Sequence, residues 1–214
     1  MNHDTASFAE PELATIEIAG MTRESFLLKS ALAAGAVYGM GMVGPFVRQA
    51  FAAEEMSEEG DLSILNFALT LEYLEAAFYK KGLAEVKFSG ENKAIMTEIG
   101  GHEDAHVTTL TETIQSLGGT PVKAPTVVFP FKDEASFLKL AQVFEDTGVS
   151  AYNGAGPAIM NKDILAAAGS IVQVEARHAA RIRLINGELP APDAFDKSLS
   201  TNEVLAAVKP FIKA

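Results

Sequence analysis

Between residues 58 and 186 the apolar positions return every three or four residues, in separate runs divided by glycine- or proline-bearing breaks. One run steps through Leu62, Leu65, Leu69, Glu72, Ala76 and Tyr79. Another steps through Phe137, Ala141, Glu145, Gly148 and Tyr152, and a third through Ile164, Ala168, Ile171, Glu175, His178, Ile182 and Ile185. This period predicts α-helices over 58–82, 91–117, 133–155 and 163–186, with Asp163 as the N-cap of the fourth. Gly82 to Gly90, Gly154-Ala-Gly156-Pro157 and Gly118-Gly119 mark the breaks. The stretch from Thr120 to Lys132 carries three prolines and the apolar patch Val127-Val-Phe-Pro-Phe131. It is too long for a helix-hairpin turn and suits a crossover that leaves helices two and three parallel. A proline-containing tail over 188–214 holds one more short helix, near 201–208, expected to pack on the bundle or on a second subunit. The expectation is an all-α four-helix bundle over 53–187.

Polar residues interrupt the apolar stripes at matched places. Glu72 is followed by Glu103-Asp-Ala-His106, and Glu145 by Glu175-Ala-Arg-His178, at spacings of 31 and 30. Seven residues after each lone glutamate stands a tyrosine, Tyr79 and Tyr152. In a helix, residues three apart share a face, so each Glu-x-x-His pair can address one point. With a turn between them, a helix running about 12 residues past Glu72 and one climbing about 12 residues to Glu103 return to the same height at about 1.5 Å per residue. The second half repeats this, which brings all six residues to one level. Four buried carboxylates repel one another and are costly to desolvate. Two divalent cations make such a set neutral. Glu75, three residues after Glu72, competes with it. Glu72 is preferred because it keeps the seven-residue step to tyrosine. A tyrosine at that step either packs in the core with a satisfied hydroxyl or hydrogen-bonds a ligand on a neighbouring helix. His102 points about 100° away from Glu103 and is expected at the surface or outside the ligand set.

These segments, Leu65-Asn-Phe-Ala-Leu-Thr-Leu-Glu-Tyr-Leu-Glu-Ala-Ala-Phe-Tyr79, Glu103-Asp-Ala-His-Val107, Phe144-Glu-Asp-Thr-Gly-Val-Ser-Ala-Tyr152 and Val174-Glu-Ala-Arg-His-Ala-Ala-Arg181, resemble the ferritin-like superfamily of di-iron and di-manganese carboxylate proteins. They are most similar to its bacterial ferritin-like domain group, which includes desiccation-related proteins, and the tail from Pro192 to Ile212 is similar to the end of members of that group. The resemblance implies that Glu103 and Glu175 bridge two metals. Glu72 with His106 would complete one, and Glu145 with His178 the other. It implies two iron ions, or two manganese ions as the alternative, reacting with dioxygen or hydrogen peroxide in oxidative or stress protection, as an oxidase, peroxidase or manganese catalase-like enzyme. The alternatives are a desiccation- or stress-associated structural protein without turnover, and an envelope protein that binds iron without catalysis. A homo-oligomer is compatible with either.

Composition narrows the choice. The chain has no cysteine, so it cannot carry a rubredoxin-type iron centre, and nothing marks a cage-forming fifth helix of the kind iron storage needs. A net charge of −11 disfavours nucleic acid and anionic membrane surfaces as partners. Residues 1–52 form a separate extension. An acidic start precedes the apolar, glycine-rich run from Phe26 to Val47, and Ala50-Phe-Ala52 fits a small-x-small cleavage site that would start the mature chain at Ala53. The run suits a signal h-region better than a membrane span. Thr22-Arg-Glu-Ser-Phe-Leu-Leu-Lys29 resembles a twin-arginine export motif with Glu24 in place of the second arginine. Export to the periplasm or cell envelope is the expectation, with a cytoplasmic location the alternative.

Overall fold

The computed structural model describes residues 58–213, with side chains from Gly60 onward. The expected signal segment and cleavage site lie outside the described residues. Within them, four long helices make the bundle: α1 (Glu58–Glu85), α2 (Asn92–Ser116), α3 (Glu134–Ala155) and α4 (Lys162–Ile185). A short α5 (Thr201–Val208) follows in the tail. No helix among the described residues is long and apolar enough to cross a membrane.

α1 does not stop at Gly82 as the glycine suggested; it continues to Glu85. The glycine is there for a close approach instead. A Cβ at position 82 would lie 2.0 Å from Cε2 of Phe137. Phe137 stacks on Phe78 at 4.2 Å, and Phe78 also meets the edges of Tyr79, Phe129, Phe131 and Phe144 at 4.9–5.6 Å. These rings fill the end of the bundle where α1 finishes and α3 begins. Truncating a ring so enclosed, as in Phe78→Ala, costs about 3–5 kcal/mol. The opposite end is aliphatic, built on Leu65, Leu69, Leu110, Ile114, Ile164 and Ile171.

Local chemistry sets the helix ends. Asp133 caps α3 in a reciprocal box with Ser136. α4 is capped by Asn161, whose side chain accepts from the backbone N–H groups of Asp163 and Ile164. Asp163, the expected cap, is instead in the first turn, where its charge still complements the helix dipole. Asp61 of α1, itself buried, accepts from the N–H groups of Met160 and Asn161, 2.8 Å each, and so latches the turn before α4.

Residues 117–133 form the crossover. The chain leaves α2 beside Leu62, with Gly118 at φ +76°, and the N–H of Val122 donates to the Asn66 side chain. It ends with Phe129 and Phe131 against Phe78, three turns along α1. The chain has thereby returned to the opposite end of the bundle, so α3 starts where α2 started and runs parallel to it. The tail packs on this same bundle. Leu199 N–H donates to Ser150 O, Val204 and Val208 are buried, and Ile212 pairs antiparallel with Val127 of the crossover. A Cβ on Gly154 would sit 1.9 Å from the Leu199 carbonyl oxygen, so only glycine lets the tail cross α3 there.

Candidate metal centre

The six residues singled out in the sequence meet in the middle of the bundle. Glu72 comes from α1, Glu103 and His106 from α2, Glu145 from α3, and Glu175 and His178 from α4; all six are buried. Two overlapping groups form. Glu72, Glu103, His106 and Glu175 can each offer an atom within 4.8 Å of the others, and so can Glu103, Glu145, Glu175 and His178. Glu103 and Glu175 stand in both. His106 Nδ1 lies 3.2 Å from Glu72, 3.0 Å from Glu103 and 3.1 Å from Glu175. His178 Nδ1 lies 3.0 Å from Glu103 Oε1 and 3.3 Å from Glu145 Oε2.

Those separations around His178 are short but misaligned. No hydrogen bond satisfies Glu103 Oε1, Glu145 Oε2, either oxygen of Glu175 or Nδ1 of His178, although every one is buried. Buried polar atoms are rarely left unpaired in a native fold. Five orphans converging on one spot, four of them carboxylate oxygens, are the donor set a cation requires. The ligand chemistry suits iron, manganese or another borderline divalent ion and does not choose among them.

The charges of the metal-free centre show the same frustration. Burial pushes the Glu72 carboxyl up to about 7, with the His106 contact opposing it. Burial also raises Glu145 and lifts Glu175 well above the usual carboxylate range. Burial acts on Glu103 in that direction too, but the facing His106 and His178 imidazoles outweigh it and hold Glu103 down to about 2. The imidazoles answer in kind. Burial disfavours their charge, yet the surrounding carboxylates push His106 up to about 12 and His178 to about 10. Protons on the two rings do the neutralising that cations would do.

Both tyrosines reach across to the opposite helical pair. The Tyr79 hydroxyl donates to Glu145 Oε1, and the Tyr152 hydroxyl donates to Glu72 Oε1 at 2.5 Å. Burial and the facing glutamates raise both phenols well above their ordinary range, so they remain donors. Each lone glutamate therefore has one oxygen held by a tyrosine and the other turned to the centre.

Glu75 is also buried, but outside the two ligand groups. Its repeat counterpart is Gly148, three residues after Glu145. A Cβ there would lie 3.2 Å from Oε1 of Glu75 and 3.2 Å from Oε2 of Glu175. The missing side chain on α3 makes room for the extra one on α1. Burial and the charges of Glu175, Glu145, Glu72 and Glu103 lift Glu75 well above its usual range. Sequence periodicity left this acid in competition with Glu72. The signal available was the glycine at its repeat position. His102 is exposed, as expected, but its ring touches His178.

Comparison with known proteins agrees with the fold. A family model described as Ferritin-like domain matches residues 60–188. Among solved structures, a ferritin-like, diiron-carboxylate protein from Bacillus anthracis str. Ames is similar at 23% identity and a TM-score of 0.55, over 61% of this chain and 99% of that one. A conserved hypothetical protein from Mycobacterium tuberculosis is similar at 16% identity and 0.55, over 60% and 98%. A dodecameric thioferritin, the bacterioferritin-related protein from Bacteroides fragilis, is similar at 20% identity and 0.54, over 62% and 88%. No curated protein matches significantly. A bundle with this crossover, a buried carboxylate–histidine centre and a family match over more than half the chain lead to one assignment: the chain belongs to the ferritin-like domain family.

Proposed function

We propose that the centre holds two iron ions, with two manganese ions as the alternative, and reacts with dioxygen or hydrogen peroxide in oxidative or stress protection. The observation that carries this reading is the overlap of the two four-residue groups through Glu103 and Glu175. Shared carboxylates suit a pair of ions about 3.5–4 Å apart. Four carboxylates from Glu72, Glu103, Glu145 and Glu175 balance two divalent charges, leaving the imidazoles free to bind as neutral donors. A bound pair of redox-active ions supplies or accepts two electrons together.

The protein's own residues do the rest. Glu72 and Glu145 are oriented by Tyr152 and Tyr79. The aromatic end, closed by Phe78, Phe137 and Phe144, keeps bulk water from the centre. At the aliphatic end a cavity of about 30 Å³ opens one turn from the ligands, lined by Leu65, Ala68, Leu110, Tyr152 and Ile171 among others. It has room for a couple of water-sized molecules, far less than an organic substrate needs. That favours a small oxidant.

Export remains part of the proposal, on the strength of the apolar run and cleavage site before Ala53. The dodecameric assembly named for the Bacteroides fragilis protein supports testing for a homo-oligomer by light scattering. The deciding experiment is elemental analysis of protein purified without added metal and then reconstituted with ferrous iron or manganese. Close to two ions per chain, with consumption of dioxygen or peroxide, is the expected result. Two ions without turnover would leave an iron-binding protein. No binding of either metal would leave a structural role for the bundle and end the catalytic reading.

A further inference from the structure

The two histidines of the centre are held differently. Nδ1 of His178 faces the carboxylates, 3.0 Å from Glu103 Oε1. Its other nitrogen, Nε2, is turned outward and lies 2.9 Å from Nδ1 of His102. The ring planes are within 11°, with centroids 5.2 Å apart. A nitrogen–nitrogen separation of 2.9 Å is inside the roughly 3.5 Å at which stacked atoms rest. The rings therefore meet edge to edge through an N–H···N hydrogen bond rather than face to face.

The direction of that bond follows from chemistry. A metal on Nδ1 of His178 needs that nitrogen's lone pair, so the ring proton must be on Nε2. Nε2–H then donates, and His102 Nδ1 accepts. Among the described residues, His106 has no such support. Its polar partners there, Glu72, Glu103 and Glu175, all face its Nδ1. The residue that precedes Glu175, as His102 precedes Glu103, is Val174. Valine offers no acceptor. The near two-fold repeat is thus broken at this place, and the two metal positions are made inequivalent.

Resting on the two-metal reading above, we propose that His102 is a positioning residue. It fixes His178 in the tautomer and orientation that leave Nδ1 free, so that the position formed by Glu103, Glu145, Glu175 and His178 binds its ion more tightly than the one completed by Glu72 and His106. Outer partners of metal-bound histidines are commonly worth 10–100-fold in metal affinity.

The test is a calorimetric titration of the full chain with cobalt(II), comparing wild type with His102→Phe and His102→Asn. Phenylalanine keeps a flat ring and removes the acceptor. Asparagine places an oxygen near the position of Nδ1. The expected wild-type result is two resolved binding steps. His102→Phe should weaken the tighter step by 10–100-fold and leave the weaker one unchanged, and His102→Asn should restore most of the loss. In the zinc(II)-loaded wild type, ¹⁵N spectra of the His178 ring should show a protonated, hydrogen-bonded Nε2. The proposal is overturned if His102→Phe titrates like wild type, if both steps weaken equally, or if His102→Asn fails to rescue. Wild type that binds no metal at all would overturn the two-metal reading itself, a result distinct from any change confined to the variants.

Discussion

Replacing Glu103 by alanine removes the one α2 carboxylate that stands in both ligand groups. The effect is best read through stability. An ion present at a hundredfold excess over its dissociation constant stabilises the folded state by about 2.7 kcal/mol, so two ions contribute about 5.4 kcal/mol. For a domain of this size each kcal/mol moves the melting temperature by about 2–4 °C, so saturating metal should raise the wild-type midpoint by roughly 10–20 °C. In Glu103→Ala each position keeps three of its four groups, but both lose an oxygen that lies 3.0 Å from the histidine beside it. The metal-free variant should stay folded. It loses two imidazole contacts, but Glu72, Glu145 and Glu175 are each relieved of a repelling neighbour. The expected outcome is a metal-free midpoint near that of wild type and almost no rise with manganese(II) or anaerobic ferrous iron, with far fewer than two ions retained. Calorimetric melting with parallel elemental analysis reads both. A variant that keeps near-normal stoichiometry, or more than half of the metal-induced rise, would refute the assignment of Glu103 as a shared ligand.

Three further outcomes are expected. Glu75→Gln keeps the shape of the extra acid and should leave stoichiometry at two ions; loss of one ion would place Glu75 among the ligands. Gly82→Ala gains about 1 kcal/mol of helix propensity but drives a methyl to 2.0 Å from Phe137, and overpacking of this kind costs about 1–3 kcal/mol. The net is a melting temperature at or below wild type, and one clearly above it would contradict the packing described. Because His106 and His178 hold protons up to about 12 and about 10 in the metal-free centre, and the Glu72 and Glu175 carboxyls are raised as well, each ion must displace at least one. Apparent metal affinity should therefore rise at least about tenfold per pH unit for each ion between about pH 6 and 8, with proton release visible in buffers of different ionisation enthalpy. The sign for the metal-free fold is the reverse: with both values raised, the imidazolium contacts stabilise fully below about 6.5, and their contribution is lost as pH climbs through about 10 and 12.

The bundle was readable because its helices are long and their buried stripes keep one period. The stripes through Leu65, Leu69 and Tyr79, through Phe137, Ala141 and Gly148, and through Ile164, Ile171 and Ile182 all turn inward. The six residues of the centre were readable for a related reason: charged groups on apolar stripes, repeated, need a joint explanation. What the period could not report is contact between distant segments. Gly82 looked like a helix end because the ring that demands it, Phe137, is on another helix. Asp163 looked like a cap because nothing local distinguishes it from Asn161, whose extended backbone lets its side chain accept from the N–H groups of the first turn. Glu75 stood as a competitor to Glu72 because the period cannot report that Gly148, on another helix, makes room for its side chain. His102 was expected at the surface, where it lies, but its bond to His178 depends on how α2 and α4 face each other across the bundle.

The parentage of the ligands has a consequence for how the protein is made. α1 and α2 contribute Glu72, Glu103 and His106, and α3 and α4 contribute Glu145, Glu175 and His178; yet each four-residue group borrows one glutamate from the other hairpin. Neither hairpin can close a binding position by itself. During synthesis the first would emerge with half a centre and keep no ion until the second docks on it. On the two-metal reading, metal capture would follow assembly, and the ions would act as rivets between two halves. Severing the crossover near Pro125 should accordingly give two fragments whose reunion depends on metal, where the intact chain needs only its own continuity.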